Sequence, residues 1–215
     1  MSDSKEIDKQ QQSELDNLNR ATQEDQGFQK LLKFKKGDYW CDNEEVPVGT
    51  EFVAYPAGLT KLWAHFENRQ LVERKVYRSA RGENPPERDE LPNNDPETWP
   101  KDPTGKPQDP WVLQYLLPMM NTRNDEAVIF IGSSFGAKRA VGELMTQYVT
   151  RAKKTGTTSP PIIKLQVTTF PTKNWGDVKR PHFVIQGWEG AALPARQIDI
   201  ERVDSQAQFD DSIPF

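Results

Sequence analysis

Apolar residues recur along this chain with two different spacings, one typical of strands and one typical of a helix. Short runs with the composition of β-strands lie at 50–55 and 71–78, the second of which alternates apolar and charged side chains. Two further apolar runs, 111–117 and 127–133, flank the polar stretch 121–125. A polar turn between two such runs predicts a hairpin.

The helical spacing appears once, over residues 140–149, where apolar side chains recur at steps of three and four. Ser133 or Ser134 precedes this segment and is placed to cap the first turn. Gly156 follows two lysines and supplies a stop signal. The sequence therefore predicts one amphipathic helix at about 135–154, with one face buried.

Two more strands are predicted after the helix, at 162–170 and 182–188. The resulting order is strand, strand, hairpin, helix, strand, strand. A five-stranded OB barrel has this order, with its helix between the third and fourth strands, although other small β-barrels share it. We therefore predict a mostly β fold, an OB-fold-like β-barrel with one main α-helix.

Composition divides the chain into a domain with appendages. Residues 1–27 carry few large apolar side chains and are expected to form a disordered acidic arm. Residues 28–190 are predicted to form the domain, and residues 191–215 a flexible acidic tail. Within the domain, residues 81–110 contain eight prolines, which excludes a central strand or a long helix and predicts a long surface loop.

The charges follow the same division. Residues 1–27 hold three Lys or Arg against seven Asp or Glu, and residues 191–215 hold two against five. The middle, residues 28–190, retains 23 basic and 20 acidic residues, a charge of about +3 between two acidic ends. A mildly basic body is permissive for nucleic-acid binding.

Several kinds of chemistry are excluded by what the sequence lacks. Cys41, His65 and His182 are the only cysteine and histidines, too few for a zinc cluster, and they form no recognisable catalytic group. The segment 132–138 has glycines spaced too closely for a phosphate-binding loop, and Arg139 stands where that motif needs Ser or Thr. We expect no enzyme activity, no cofactor and no metal. Without a signal peptide or an apolar run of membrane-spanning length, the chain is expected in the cytoplasm.

The last residues of the chain form an acidic and hydrophobic peptide with its own chemistry. Two aspartates are followed by Ile-Pro-Phe against the free carboxylate, and the residues concerned are Phe209, Asp210, Asp211, Ile213, Pro214 and Phe215. This ending resembles the C-terminal tip of bacterial single-stranded DNA-binding proteins and their phage counterparts. The resemblance implies a tip that binds enzymes of replication, repair or recombination and not DNA. Phe215 would fill an apolar pocket, with its carboxylate paired to a cation.

Residues 35–190 also resemble a family of uncharacterised phage-encoded proteins. The features that carry this resemblance are the Asp109-Pro110-Trp111 turn, the Ser133-Ser134 to Gly136 start of the helix and the 181–188 strand ending in Gly-Trp. It implies a phage or prophage origin and a site of action in the cytoplasm of a bacterial host.

Single-stranded DNA is held by cations that contact phosphates and by aromatic rings on which bases stack. Aromatic residues recur beside basic ones in this chain, and the candidate DNA-binding residues are Lys35, Lys36, Trp40, Lys61, Trp63, Arg69, Arg74, Tyr77, Arg78, Lys173, Trp175, Lys179 and Arg180. Because polar or charged neighbours flank them, Trp63, Tyr77 and Trp175 are expected to be exposed. Trp111, at the start of an apolar run, is expected in the core.

Two functions remain open from the sequence. The first is a protein that coats single-stranded DNA without sequence preference and recruits enzymes through its tip, with or without forming a homo-oligomer. The second is an interaction protein that does not bind DNA and mimics such tails to titrate or regulate host repair enzymes. Neither function involves a membrane.

Overall fold

Strands make up most of the fold in this computed structural model, which describes residues 30–68, 70–102, 104–172 and 176–189. Within these ranges, one α-helix and ten strands are formed. In chain order they are β1 (Lys30–Lys35), β2 (Asp38–Cys41), β3 (Glu44–Val46), β4 (Glu51–Ala54), β5 (Thr60–Glu67), β6 (Gln70–Arg78), β7 (Trp111–Asn121), β8 (Ala127–Gly132), α1 (Phe135–Thr155), β9 (Pro161–Thr172) and β10 (Gly176–Trp188).

The strands form one branched sheet in the order β10-β9-β4-β7-β8-β1-β2-β3. The branch is at β7, which pairs along one edge with β8. Along its other edge, the first residues of β7 pair with β5 and the last ones with β4. The β5–β6 hairpin extends from this point. All of these pairs are antiparallel except that of β1 with β8, which is parallel.

The sheet curls so strongly that its distant strands meet. The hydroxyl of Tyr39, on β2, donates a hydrogen bond to the carbonyl oxygen of Gln166 at 2.8 Å and accepts one from the backbone N–H of His182 at 3.2 Å. The rings of Phe130 and Phe183 pack edge to face with centroids 5.0 Å apart. The result is a half-barrel compatible with an OB-like β-barrel carrying one helix. The prediction of a mostly β fold with one main helix is confirmed.

Replacing Tyr39 with phenylalanine should lower the free energy of unfolding by about 1–3 kcal/mol, because it removes the buried hydroxyl that bonds a part-buried N–H and a part-buried C=O. Urea unfolding followed by circular dichroism measures the change. Tyr148→Phe is the matched control. Its hydroxyl binds the carbonyl of exposed Thr158, which water can satisfy, so its cost should be smaller. An equal effect of the two substitutions would contradict the bridging role of Tyr39.

Each face of the sheet has its own buried cluster. The inner face, on the concave side, carries the main core and receives α1; its fully buried side chains include Leu32, Phe52, Leu117, Met119, Phe130, Ile163 and Leu165. The outer face of the central strands carries Leu31, Leu62, Leu116, Ile129 and Ile131. Because both faces of β7 and β8 are buried, apolar residues run almost continuously along them, as the sequence pattern indicated.

Helix α1 begins and ends where the local signals place it. The Ser134 side chain accepts a hydrogen bond from the backbone N–H of Ala137 at 3.2 Å, which identifies Ser134 and not Ser133 as the cap. Gly156 has a φ of 70° and its N–H donates to the carbonyl of Ala152, which ends the helix. Gly132 lacks a side chain for a packing reason, since a Cβ at this position would collide with that of Ala137.

The sequence-based strand count was too low. No strand was predicted at 30–46, where β1, β2 and β3 lie, or at 60–67, where β5 lies. The loop 81–110 agrees with its prediction: its described residues form only short 3-10 turns and one isolated bridge. The predicted acidic arm, 1–27, and the predicted tail, 191–215, lie outside the described residues. In the described part of the chain, no helix has both the length and the apolar character needed to cross a membrane.

Candidate nucleic-acid interface

A row of four residues crosses the inner face of the sheet from β6 to β8. Tyr77 lies opposite Lys61, Lys61 opposite Tyr115, and Tyr115 opposite Gly132. Directly opposed residues on antiparallel strands point to the same face. Since neighbouring strands are about 4.8 Å apart, the row spans roughly 14 Å. These four residues are called the transverse row below.

The transverse row combines a cation with two aromatic rings. The Nζ atom of Lys61 lies 5.8 Å from the centroid of the Tyr115 ring, at the outer limit of a cation–π contact. The side chains of Lys61, Tyr77 and Tyr115 are all half-buried, so each is held by its neighbours and still meets solvent. Rings held in this way can stack on bases, and a lysine between them can contact a phosphate.

Both tyrosines of the row remain uncharged at physiological pH. Burial raises the pKa of Tyr115 above its usual value of 10.0. Burial also raises the pKa of Tyr77, and the negative charges of Glu73 and Glu90 raise it further. Because neither phenol ionises near neutral pH, neither ring repels a nucleic acid by its own charge.

Two tryptophans on the same face as the transverse row are buried. Trp63 and Trp111 are 7% and 3% exposed and pack with Leu91 from the loop 81–110. The indole N–H of Trp63 donates to the carbonyl of Pro86, also in the loop, at 3.1 Å. Trp111 stacks on His65 with ring centroids 4.6 Å apart. The prediction that Trp63 is exposed is therefore wrong, and the prediction that Trp111 belongs to the core is confirmed.

The loop 81–110 brings negative charge to one end of the transverse row. It contains eight acidic and four basic residues. Arg88 and Asp109 form an ion pair within the loop, with the Arg88 Nε atom 2.6 Å from an oxygen of Asp109. Glu90 is close enough to Tyr77 to affect its pKa. Phosphates are repelled at this end, so the more favourable end for an anionic chain is the one near Tyr115 and Gly132.

The remaining predicted DNA-binding residues do not join this row. The strand register places four of them on the outer face: Lys35, Trp40, Arg74 and Arg78. Exposed Lys36 lies in the turn after β1. The predicted single surface is thus divided between two faces, because β1, β2 and β6 turn alternate side chains outward. Three of the predicted DNA contacts, Arg69, Lys173 and Trp175, lie outside the described residues, and so does the tip with Phe209, Asp210, Asp211, Ile213, Pro214 and Phe215.

The two basic residues of β10 have different surroundings. Lys179 is exposed, and its aliphatic chain lies against Gly37. The Arg180 side chain is only 9% exposed and makes two hydrogen bonds of 3.0 Å to the carboxylate of Glu143 on α1. Arg139 binds the same carboxylate at 2.9 Å. Arg180 therefore joins the helix to β10, and it is buried and bound to Glu143, not displayed on the surface as the sequence-based assignment expected.

Four residues that the sequence did not single out lie near the favourable end of the transverse row. Tyr115 is a member of the row. Phe135 and Phe170 form an aromatic pair at the start of α1, with ring centroids 5.9 Å apart. Lys138 follows one turn later on the helix. The alternation within Gln114-Tyr115-Leu116 indicated that Tyr115 faces away from its neighbours, but nothing in the sequence indicated which face holds the other aromatic residues.

These features define a class of protein: a mostly β domain whose strongly curled, OB-like half-barrel carries one capped helix and an aromatic and cationic row on its concave face. Comparison of the chain with family models, curated proteins and solved structures finds no significant match in any of the three.

Proposed function

We propose that this chain binds single-stranded DNA across the inner face of its half-barrel and recruits enzymes of phage DNA replication, recombination or repair through its C-terminal tip. The observation that carries the first part is the transverse row, in which Lys61 lies between Tyr77 and Tyr115. Two rings and a cation in one row match the alternation of bases and phosphates in a single strand. A duplex hides the faces of its bases, so it should bind much more weakly.

The recruiting role rests on the sequence of the tip. The peptide from Asp210 to Phe215 ends in Ile-Pro-Phe, which resembles the tips of bacterial single-stranded DNA-binding proteins. An apolar group at a chain end is stabilised when a partner buries it, and the aspartates suit a partner with a basic rim. The proposed partners are therefore replication, repair or recombination proteins with a basic, hydrophobic pocket.

One observation favours the second candidate, an interaction protein that does not bind DNA. The loop 81–110 has an excess of four negative charges and covers two of the aromatic residues of the inner face. Such a loop disfavours phosphates close by. If the tip alone carries the function, the chain would titrate enzymes that bind such tips.

Binding to oligo-dT separates the two candidates. We expect the full chain to bind a labelled strand of about 30 nucleotides with micromolar or better affinity, and log affinity to fall with log salt by about 0.7 per phosphate contacted. Tyr115→Leu keeps apolar bulk and removes the stacking ring, so it should weaken binding about fivefold or more. Fluorescence anisotropy measures both effects.

Lys61→Met and Lys106→Met form a matched pair for this measurement. Both remove one lysine charge, but Lys106 is exposed in the loop and is not a member of the transverse row. Only Lys61→Met should reduce the salt slope, by about 0.7. Absence of binding by the unmodified chain at low salt would leave the interaction protein as the function.

A further inference from the structure

Phe135 is an unusually exposed aromatic residue for its position. Its side chain is the first of α1 and is 66% exposed, although it touches Phe170 on β9. Nothing in helix formation favours phenylalanine at this point, since Ser134 already provides the cap and aromatic residues have modest helix propensity. A large ring left in water at a defined position is a candidate contact surface.

Phe135 is close to the transverse row along the chain. Gly132, the last member of the row, is only three residues earlier. Three residues span at most about 11 Å and neighbouring strands are about 4.8 Å apart, so the Cα atom of Phe135 lies within about 16 Å of that of Tyr115. The acidic loop is at the other end of the row, near Tyr77. A single strand leaving the row at its favourable end therefore reaches the start of α1.

Lys138 provides a cation beside this ring. Residues three apart on a helix are neighbours, and helical side chains point back towards the N-terminus, so Lys138 extends over the turn that carries Phe135. One flank of α1, with Gly136 and Glu143, meets β10. At 100° per residue Lys138 lies on the opposite flank, towards β7, the other strand against which α1 packs.

The charge of Lys138 has no partner among the described residues. Arg139 and Arg180 share Glu143, whereas no described carboxylate lies within ion-pair distance of Lys138. Burial alone lowers the pKa of Lys138, with no compensating negative charge. The first turn of α1 also contains no acidic residue. A half-buried and unpaired ammonium is stabilised when an anion binds to it.

We propose that Phe135, supported by Phe170, stacks on a base of single-stranded DNA while Lys138 binds the adjacent phosphate, as a second nucleotide site continuous with the transverse row. This inference rests on the proposed function and adds residues to its site. A strand of nucleic acid supplies a flat base to stack on the Phe135 ring and a phosphate to pair with the Lys138 ammonium. A protein that contacted only Phe135 would leave the rings and the lysine of the transverse row without a ligand.

The test is a titration of the full chain with labelled oligo-dT. Phe135→Leu removes the aromatic face and keeps an apolar side chain, and Phe135→Tyr restores the ring. We expect Phe135→Leu to weaken binding by about fivefold to 150-fold, the range for one stacked base, and Phe135→Tyr to bind nearly as the unmodified chain does. Because the ring is exposed, neither change should alter the thermal unfolding midpoint by much, which circular dichroism checks.

Lys138→Met tests the phosphate contact, and Lys154→Met is its control. Both remove one charge from the same helix, but exposed Lys154 lies 16 positions further on, about 24 Å along the axis. Lys138→Met should reduce the salt slope by about 0.7 and Lys154→Met should leave it unchanged.

The outcomes separate the inference from the proposed function. If the unmodified chain binds oligo-dT, but Phe135→Leu and Lys138→Met bind within twofold of it with the same salt slope, the second site is wrong and the transverse row stands. If Phe135→Leu instead changes the oligomeric state measured by light scattering and not the DNA affinity, the ring is a protein contact and the inference is overturned. If the unmodified chain does not bind at all, the proposed function fails, and the second site fails with it.

Discussion

Replacing Glu143 with alanine is expected to lower the free energy of unfolding by about 3 kcal/mol, near the lower end for breaking a buried ion pair because Glu143 itself is partly exposed. The Arg180 guanidinium, 9% exposed, would lose both of its 3.0 Å carboxylate contacts and remain buried. Urea unfolding measures the loss. Arg139→Ala is the control, since it removes only the exposed partner of the same carboxylate and should cost less than about 1 kcal/mol.

The ion pair of Glu143 with Arg180 also makes the free energy of unfolding depend on pH. Burial tends to raise the pKa of Glu143, but hydrogen bonds and charge from Arg180 and Arg139 outweigh it and hold the pKa below the usual 4.5. A carboxyl with a depressed pKa stabilises the fold above its unfolded pKa, and this contribution is lost as the pH falls through the folded pKa. The difference in stability between the unmodified chain and Glu143→Ala should therefore shrink below about pH 4.5. A difference that stays constant down to pH 2 would show that this ion pair contributes nothing to acid sensitivity.

Phe215→Ala should abolish recruitment while leaving DNA binding intact. The terminal ring is the proposed anchor in the partner's pocket, and loss of such an anchor costs about 2 kcal/mol or more, roughly thirtyfold in affinity. The probe is a bacterial nuclease or helicase that binds tips of this kind, and surface plasmon resonance with the full chain measures the loss. Both aspartates remain in this variant, so affinity for oligo-dT should hardly change.

Deletion of residues 210–215 gives the contrasting result. It removes Asp210 and Asp211 together with the anchor, so partner binding should again be lost. The sequence predicts a flexible acidic tail here, and a flexible chain of 20 residues spans roughly 25 Å, enough to bring the aspartates over the domain's own cations. Their deletion should therefore raise DNA affinity modestly at low salt. Unchanged partner affinity after Phe215→Ala would mean that the resemblance of the tip is accidental.

Local signals in the sequence predicted the helix well and the exposure of individual side chains poorly. Ser134 and Gly156 determine the ends of α1 through contacts within a few residues, so their effects could be read directly. Trp63 was different. Its basic neighbours suggested exposure, but its cover comes from Leu91 and Pro86, more than twenty residues later in the chain. No local pattern reports such a contact.

The faces on which the basic side chains lie could not be predicted from local sequence either. Lys61 and Arg74 are similar in sequence context, yet the β5–β6 pairing places them on opposite faces of the sheet. Arg180 was counted with Lys179 as a DNA contact, but the alternation of β10 and the position of α1 pair it with Glu143, 37 residues earlier. Strand composition predicted that these elements exist. Which side chains share a surface depends on register and on the packing of the helix, and a single sequence states neither.

The bridge from Tyr39 to β9 and β10 also bears on how the chain is made. Tyr39 and Gln166 are 127 residues apart, and β1 has its parallel partner only in β8. At about 5–20 residues per second, the ribosome needs roughly 6–25 s between synthesising the tyrosine and its acceptor. During the first part of that interval, β1–β3 can pair with one another but β1 still lacks β8, and until β9 and β10 are made Tyr39 lacks the strands that it bridges. The domain thus completes its folding only after β10 emerges, and a nascent chain that stalls before that point presents unpaired strand edges to chaperones and proteases.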